Sequence, residues 1–176
     1  PEAQRDRFLM KVLVGYPSRD EEVEVVLRMG VRPPRGEQVL SPAEVIELQA
    51  AADRIYVDPG VVDYAVNLVL ATRDPSAFGL HELAELIQYG ASPRASLGLV
   101  SAGRALALLR GRTYALPQDV FDVAPDVLRH RLVLSYEALA RNLSAAHLLA
   151  RIVGTVPAPR IAPSVHDASS TWPGDD

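Results

Sequence analysis

Along this chain the spacing of apolar positions changes several times, and each change marks an element. From Phe8 to Tyr16 the residues are apolar apart from Lys11, and the run closes at Gly15-Tyr16-Pro17, which predicts a β-strand ended by a turn. A lone strand cannot satisfy its own backbone groups, so this one implies a sheet built from residues upstream. Asp20 to Met29 carries Val23, Val26 and Leu27 in a short amphipathic helix stopped by Gly30. Val31 to Val39, with Pro33, Pro34 and Gly36, reads as a linker whose prolines suit a semi-rigid hinge.

The helical period then takes over. Ser41-Pro42-Ala43-Glu44 has Ser as N-cap, Pro at the first position and Glu where a capping box needs it. Val45, Leu48, Ala52 and Ile55 follow on one expected buried face. Asp58-Pro59 starts a second helix, with Val62, Val66 and Val69 expected inward and Asp74-Pro75 at its end. Ser92-Pro93 opens a third, which carries Leu99, Ala102, Leu106 and Leu109 and meets a glycine stop at Gly111. Tyr114 to Leu116 is a short extended piece. Pro117 opens a helix with Val120, Ala124, Val127 and Arg131 along one line, which Pro125 kinks or divides. Leu132-Val133-Leu134 is a helix continuation or a short extended run. Ser144 caps a final helix bearing Ala145, Leu149, Ile152 and Val156. From Pro157 to Asp176 the chain turns to Pro, Ser, Asp and Gly with the single Trp172. Such a segment buries too little to offset its ordering entropy, so a disordered tail is expected.

Composition narrows the function. With 176 residues and 48% hydrophobic content, one sizeable core plus a tail is the natural expectation. A net charge of −4 disfavours nucleic acid or an anionic membrane as partner. The absence of cysteine removes disulfides and thiolate metal sites and fits a reducing cytoplasm. No apolar run approaches the ~20 residues that span a bilayer. The chain does not begin with methionine, and Pro1 reads as a cut through a longer protein.

Candidate chemistry centres on Gly90-Ala91-Ser92-Pro93-Arg94-Ala95. Here Ser92 can cap a backbone N–H, Pro93 takes the first helical position and Arg94 lies in the first turn. A cation at the positive end of the helix dipole is mildly unfavourable unless an anion meets it, and helix N-termini attract phosphate. Elsewhere, Arg5, Asp6 and Arg7 read as a solvated charged end. His81-Glu82-Leu83-Ala84-Glu85 lacks the second histidine of a zinc-protease helix, and His130, His147 and His166 have no motif spacing, so no metal site is expected. Nor does the chain contain a Gly-Lys-Ser/Thr phosphate loop (Walker A) or an acidic magnesium-holding strand (Walker B), so alone it is not expected to hydrolyse ATP or to retain nucleotide.

Three segments carry a resemblance, in order along roughly residues 1 to 156. Gly90 to Gly98 with Tyr114-Ala115-Leu116-Pro117-Gln118-Asp119-Val120 resembles the sensor-2 region of the MoxR-type AAA+ ATPases. Pro1-Glu2-Ala3-Gln4-Arg5-Asp6-Arg7-Phe8 is similar to that family's arginine-finger segment, with Arg5 where the family usually has leucine. Ala124-Pro125-Asp126-Val127-Leu128-Arg129-His130-Arg131-Leu132 is the third. The resemblance implies a mainly α fold: the last helix and strand of an α/β nucleotide-binding core in 1–30, a linker in 31–40, a helical lid of five or six helices in 41–156, and the tail in 157–176. It implies Arg7 as an arginine finger acting in trans, and Arg94 as sensor 2 with Ser92 and Pro93 beside it. ATP and Mg2+ would be bound by the full-length protein, which would form a homo-oligomeric ring, commonly a hexamer, and remodel a protein client. The rival reading is a stand-alone helical interaction domain without ATPase activity.

Overall fold

The computed structural model describes residues 2–30 and 33–160, which are mainly α-helical. The helices are α1 (Glu2–Arg5), α2 (Arg19–Met29), α3 (Pro42–Asp53), α4 (Pro59–Arg73), α5 (Pro93–Leu109), α6 (Pro117–Leu128), α7 (Tyr136–Ala140) and α8 (Ala145–Thr155). Four short strands join them: β1 (Tyr56–Val57), β2 (Ile87–Tyr89), β3 (Tyr114–Ala115) and β4 (Val133–Leu134). Two 3₁₀ turns, Pro75–Phe78 and His81–Leu83, link α4 to β2.

The buried core begins at Ile55 and ends at Val156. Its centre is α5, which packs against α3, α4 and α6 and turns inward a face of small residues: Ala95, Gly98, Ala102, Gly103 and Ala107 around Leu99. A Cβ on Gly98 would lie 3.2 Å from Val127 Cγ1, and one on Gly103 would lie 3.3 Å from Val120 Cγ2. The glycines thus allow α6 to lie close along α5. At its other end α5 closes in a Schellman motif: Gly111 takes a positive φ of 70°, its N–H bonds Leu108 O, and the Arg112 N–H bonds Ala107 O.

Local signals placed most of these elements, and tertiary contacts moved several faces. Ser41 and Glu44 form the expected capping box, yet α3 buries no residue, and Val45 and Leu48 are exposed. On α4 the inward residues are Val61, Tyr64, Ala65, Leu68, Val69, Ala71 and Thr72, whereas Val62 and Val66 stay partly exposed. Leu109 is exposed, while Ala107 in the same turn is buried. Pro125 neither divides nor ends α6; it lies one turn from the end, where only one backbone bond is forfeited. The expected strand over Phe8–Tyr16 does not form. Those residues run as irregular chain with Phe8, Val12, Leu13, Val14 and Tyr16 exposed, since no described strand is placed to pair with them. Residues 33–40 are likewise irregular, while the expected tail lies mostly outside the described residues. Among the described residues no helix is long and apolar enough to cross a membrane.

Candidate functional site

The start of α5 is held by the end of α4. Thr72 Oγ1 donates to Val69 O at 2.6 Å and accepts the Ala91 N–H at 2.9 Å, while Arg73 Nε donates to Ala91 O at 2.6 Å. Both backbone polar groups of Ala91 are therefore tied down. Gly90 is required by proximity: a Cβ there would lie 2.4 Å from Thr72 O. Pairing of β2 with β4, antiparallel with Ile87 opposite Leu134 and Tyr89 opposite Val133, brings this corner beside the chain leaving α6. Arg94 and Arg131, far apart in sequence, thereby share one neighbourhood.

Ser92 occupies the N-cap position and Pro93 the first helical position, but the Ser92 hydroxyl caps no backbone N–H. It donates instead to Asp6 Oδ2 at 2.9 Å. Arg94 Nη1 donates to the same oxygen at 3.0 Å. The anion that a cation at the helix start calls for is thus supplied from within the chain, by the segment that contains Arg7. Asp6 also faces Arg131, whose Nη1 lies 3.6 Å from Asp6 Oδ1. The Arg131 side chain is 1% exposed, against 56% for Arg94.

Residues 8–11 are stitched to α6 and the turn after it. The Phe8 carbonyl accepts from Arg131 Nη2 at 2.6 Å and from His130 Nε2 at 3.0 Å, which puts the proton of a neutral His130 on Nε2. The Lys11 N–H donates to Asp126 O at 2.8 Å. Burial lowers both Arg131 and His130 from their usual values; the Asp6 charge opposes this at Arg131, and the Phe8 carbonyl opposes it at His130. Arg131 keeps its charge at neutral pH in any case, because an arginine begins so far above it.

Of the residues singled out in the sequence, Ser92, Pro93 and Arg94 stand together at the start of α5. Arg7 is exposed on the adjoining turn and makes no ion pair with another described residue. Three participants were missed. Asp6 reads as a solvated charge, Arg131 as the end of a core line and His130 as a scattered histidine. The usable signal was Arg131 itself, since an arginine in a buried stripe needs an anion or carbonyl partner. Among the described residues no group of His, Asp and Glu is arranged to hold a metal ion. Glu82, beside His81, instead pairs with Arg151.

A second charged cluster is structural. Asp119, fully buried, accepts from Arg110 Nη1 at 2.8 Å, from Arg112 Nη1 at 2.8 Å and from the Leu116 N–H at 2.7 Å. Burial alone would raise its pKa, but the hydrogen bonds from Arg112, Leu116 and Arg110 bring it below the usual carboxylate value. This cluster ties the end of α5 to the start of α6.

Helices α3 to α8 thus form an array around α5, with Ser92 and Arg94 at one corner. In comparison with known proteins, residues 81–152 match the AAA lid domain family. The chain is 52% identical over 161 residues to the Chaperone MoxR1 of Mycobacterium tuberculosis, covering 92% of this chain and 43% of that protein. It is 33% identical to the Protein MoxR of Paracoccus denitrificans, covering 90% of this chain and 51% of the relative. A crystal structure of a candidate ATPase from Cytophaga hutchinsonii superposes with a TM-score of 0.86 at 34% identity, covering 91% of this chain and 49% of that one. Nine-tenths of the chain is thus similar to MoxR proteins, and the match to the AAA lid domain falls on its helical core. The chain spans about half the length of the curated relatives it matches.

Proposed function

We propose that this chain is the lid part of a MoxR-family ATPase and contributes Arg94 as sensor 2 and Arg7 as an arginine finger to ATP hydrolysis by the full-length protein. The observation that carries this reading is the mounting of Arg94: rigidly placed at the start of α5, partly exposed, and already engaged with a carboxylate. The donor set suits phosphate. It combines a guanidinium, a hydroxyl and the positive end of a 17-residue helix. ATP with Mg2+ would supply the reactive phosphoryl group, and Arg94 would hold a phosphate oxygen. Arg7, on the neighbouring turn, would reach the phosphates of an adjacent subunit in a ring and stabilise charge as it spreads in the transition state. Turnover in a cytoplasmic homo-oligomer would drive chaperone-like remodelling of a protein partner, in keeping with the name of the mycobacterial relative.

The test uses the full-length protein. Arg7→Ala is expected to lower kcat by roughly 10³ or more while nucleotide affinity stays close to wild type. Arg94→Ala is expected to weaken Mg-ATP binding about tenfold or more, the loss of a charged hydrogen bond. Wild-type affinity and turnover in both variants would remove Arg7 and Arg94 from the mechanism, whereas a full-length protein that turns over no ATP would leave the helical interaction domain as the better reading.

A further inference from the structure

We propose that Asp6 is a positioning residue that competes with nucleotide phosphate for Arg94, so that phosphate binding at the start of α5 is felt by the backbone beside Arg7. This rests on the reading of Arg94 as a phosphate contact. Asp6 occupies the place at the helix start where an anion is favoured, with one oxygen, Oδ2, serving both Ser92 and Arg94. Arg94 is more than half open to solvent, and exposed pairs of this kind are weak. A phosphate group carries more charge and more acceptor oxygens than a carboxylate, so it displaces Asp6 from Arg94 rather than the reverse.

The structure also supplies the displaced carboxylate with a destination. Arg131 is buried, and its Nη1 and Nε have no hydrogen-bond partner among the described residues. Asp6 Oδ1 stands 3.6 Å from that Nη1, just beyond hydrogen-bond length. A short rotation of Asp6 satisfies a buried donor that otherwise goes without, so giving up Arg94 does not strand the carboxylate. The Phe8 carbonyl remains held by His130 and Arg131, and the Lys11 N–H by Asp126. Movement of Asp6 is therefore confined to the turn that holds Arg7. Phosphate on Arg94 and the setting of the finger become one event.

The experiment measures binding of Mg2+-adenylyl imidodiphosphate, together with ATP turnover, by full-length wild type, Asp6→Asn, Arg94→Ala and the double variant. Asp6→Asn removes the competing charge, so binding is expected to tighten about 2- to 5-fold. Its kcat is expected to fall roughly 10- to 100-fold as Arg7 loses its setting. A carboxylate with only a structural role would not tighten binding when removed. The tightening should vanish when Arg94 is alanine. Hydrogen exchange at residues 5–8 of the wild type should change on adding the analogue and stay constant in Arg94→Ala, a readout that stands even where Asp6→Asn does not fold. Unchanged or weaker binding by folded Asp6→Asn, or exchange at 5–8 indifferent to the analogue, overturns the proposal. If Arg94→Ala binds like wild type, the sensor reading fails and the Asp6 exchange with it. If Arg94→Ala binds weakly but Asp6→Asn does not tighten, only the exchange fails.

Discussion

Residues 8–54 and residues 55–156 obey the same local rules and end up in opposite environments. Helices α2 and α3 each begin with a complete capping box, Ser18 with Glu21 and Ser41 with Glu44. Neither buries a single residue, and Val23, Val26, Leu27, Val45, Ile46 and Leu48 all remain exposed. Helices α4 to α6 and α8 have poorer caps in places, Ser92 and Leu116 making no side-chain cap bond, yet they enclose the core. Capping therefore decides where a helix starts, and burial decides whether it holds a fold together.

The contrast can be broken or sharpened by substitution, beginning with the largest effect. Leu99→Ala, in the centre of the core, should cost about 2–5 kcal/mol of unfolding free energy, whereas Leu27→Ala on α2 should stay within about 0.5 kcal/mol. Equal losses at Leu27 and Leu99 would abolish the distinction between the regions. Asp119→Ala removes the buried acceptor shared by Arg112 and the Leu116 N–H, although Arg110 keeps Asp122, and should cost about 1–3 kcal/mol of unfolding free energy, read by urea denaturation. Its acid behaviour has a fixed sign. The folded pKa lies below the unfolded value of about 3.9, so the stabilisation is present above that pH and is lost as pH falls through the folded value. Wild type should therefore lose stability relative to Asp119→Asn on acidification below about pH 4. Ser41→Ala should remove about 1 kcal/mol of local helix stability, visible in hydrogen exchange of α3 and barely in the global transition.

The candidate site divides along the same line. Pro93 at the first helical position and Arg94 in the first turn were legible because helix starts are written in a few adjacent residues. Asp6, His130 and Arg131 were not legible as partners. They meet only because β2 pairs with β4 and because Gly90 lets the chain cross the end of α4 at contact distance. Ser92 shows the limit within a single residue. Its place was readable, but its hydroxyl turned to a carboxylate 86 positions away instead of the nearby N–H.

The sequence by itself determined the mainly helical class, most helix starts, the glycine stop at Gly111 and the resemblance to the MoxR-type lid, because each depends on short-range spacing or a run of specific residues. Only the tertiary structure decided which faces are buried, that Phe8–Tyr16 forms no strand here, and which anion meets Arg94. Burial and charge pairing depend on what lies across a gap in space. A strand exists only beside another strand, and a guanidinium at a helix start takes whichever carboxylate the fold brings within 3.0 Å.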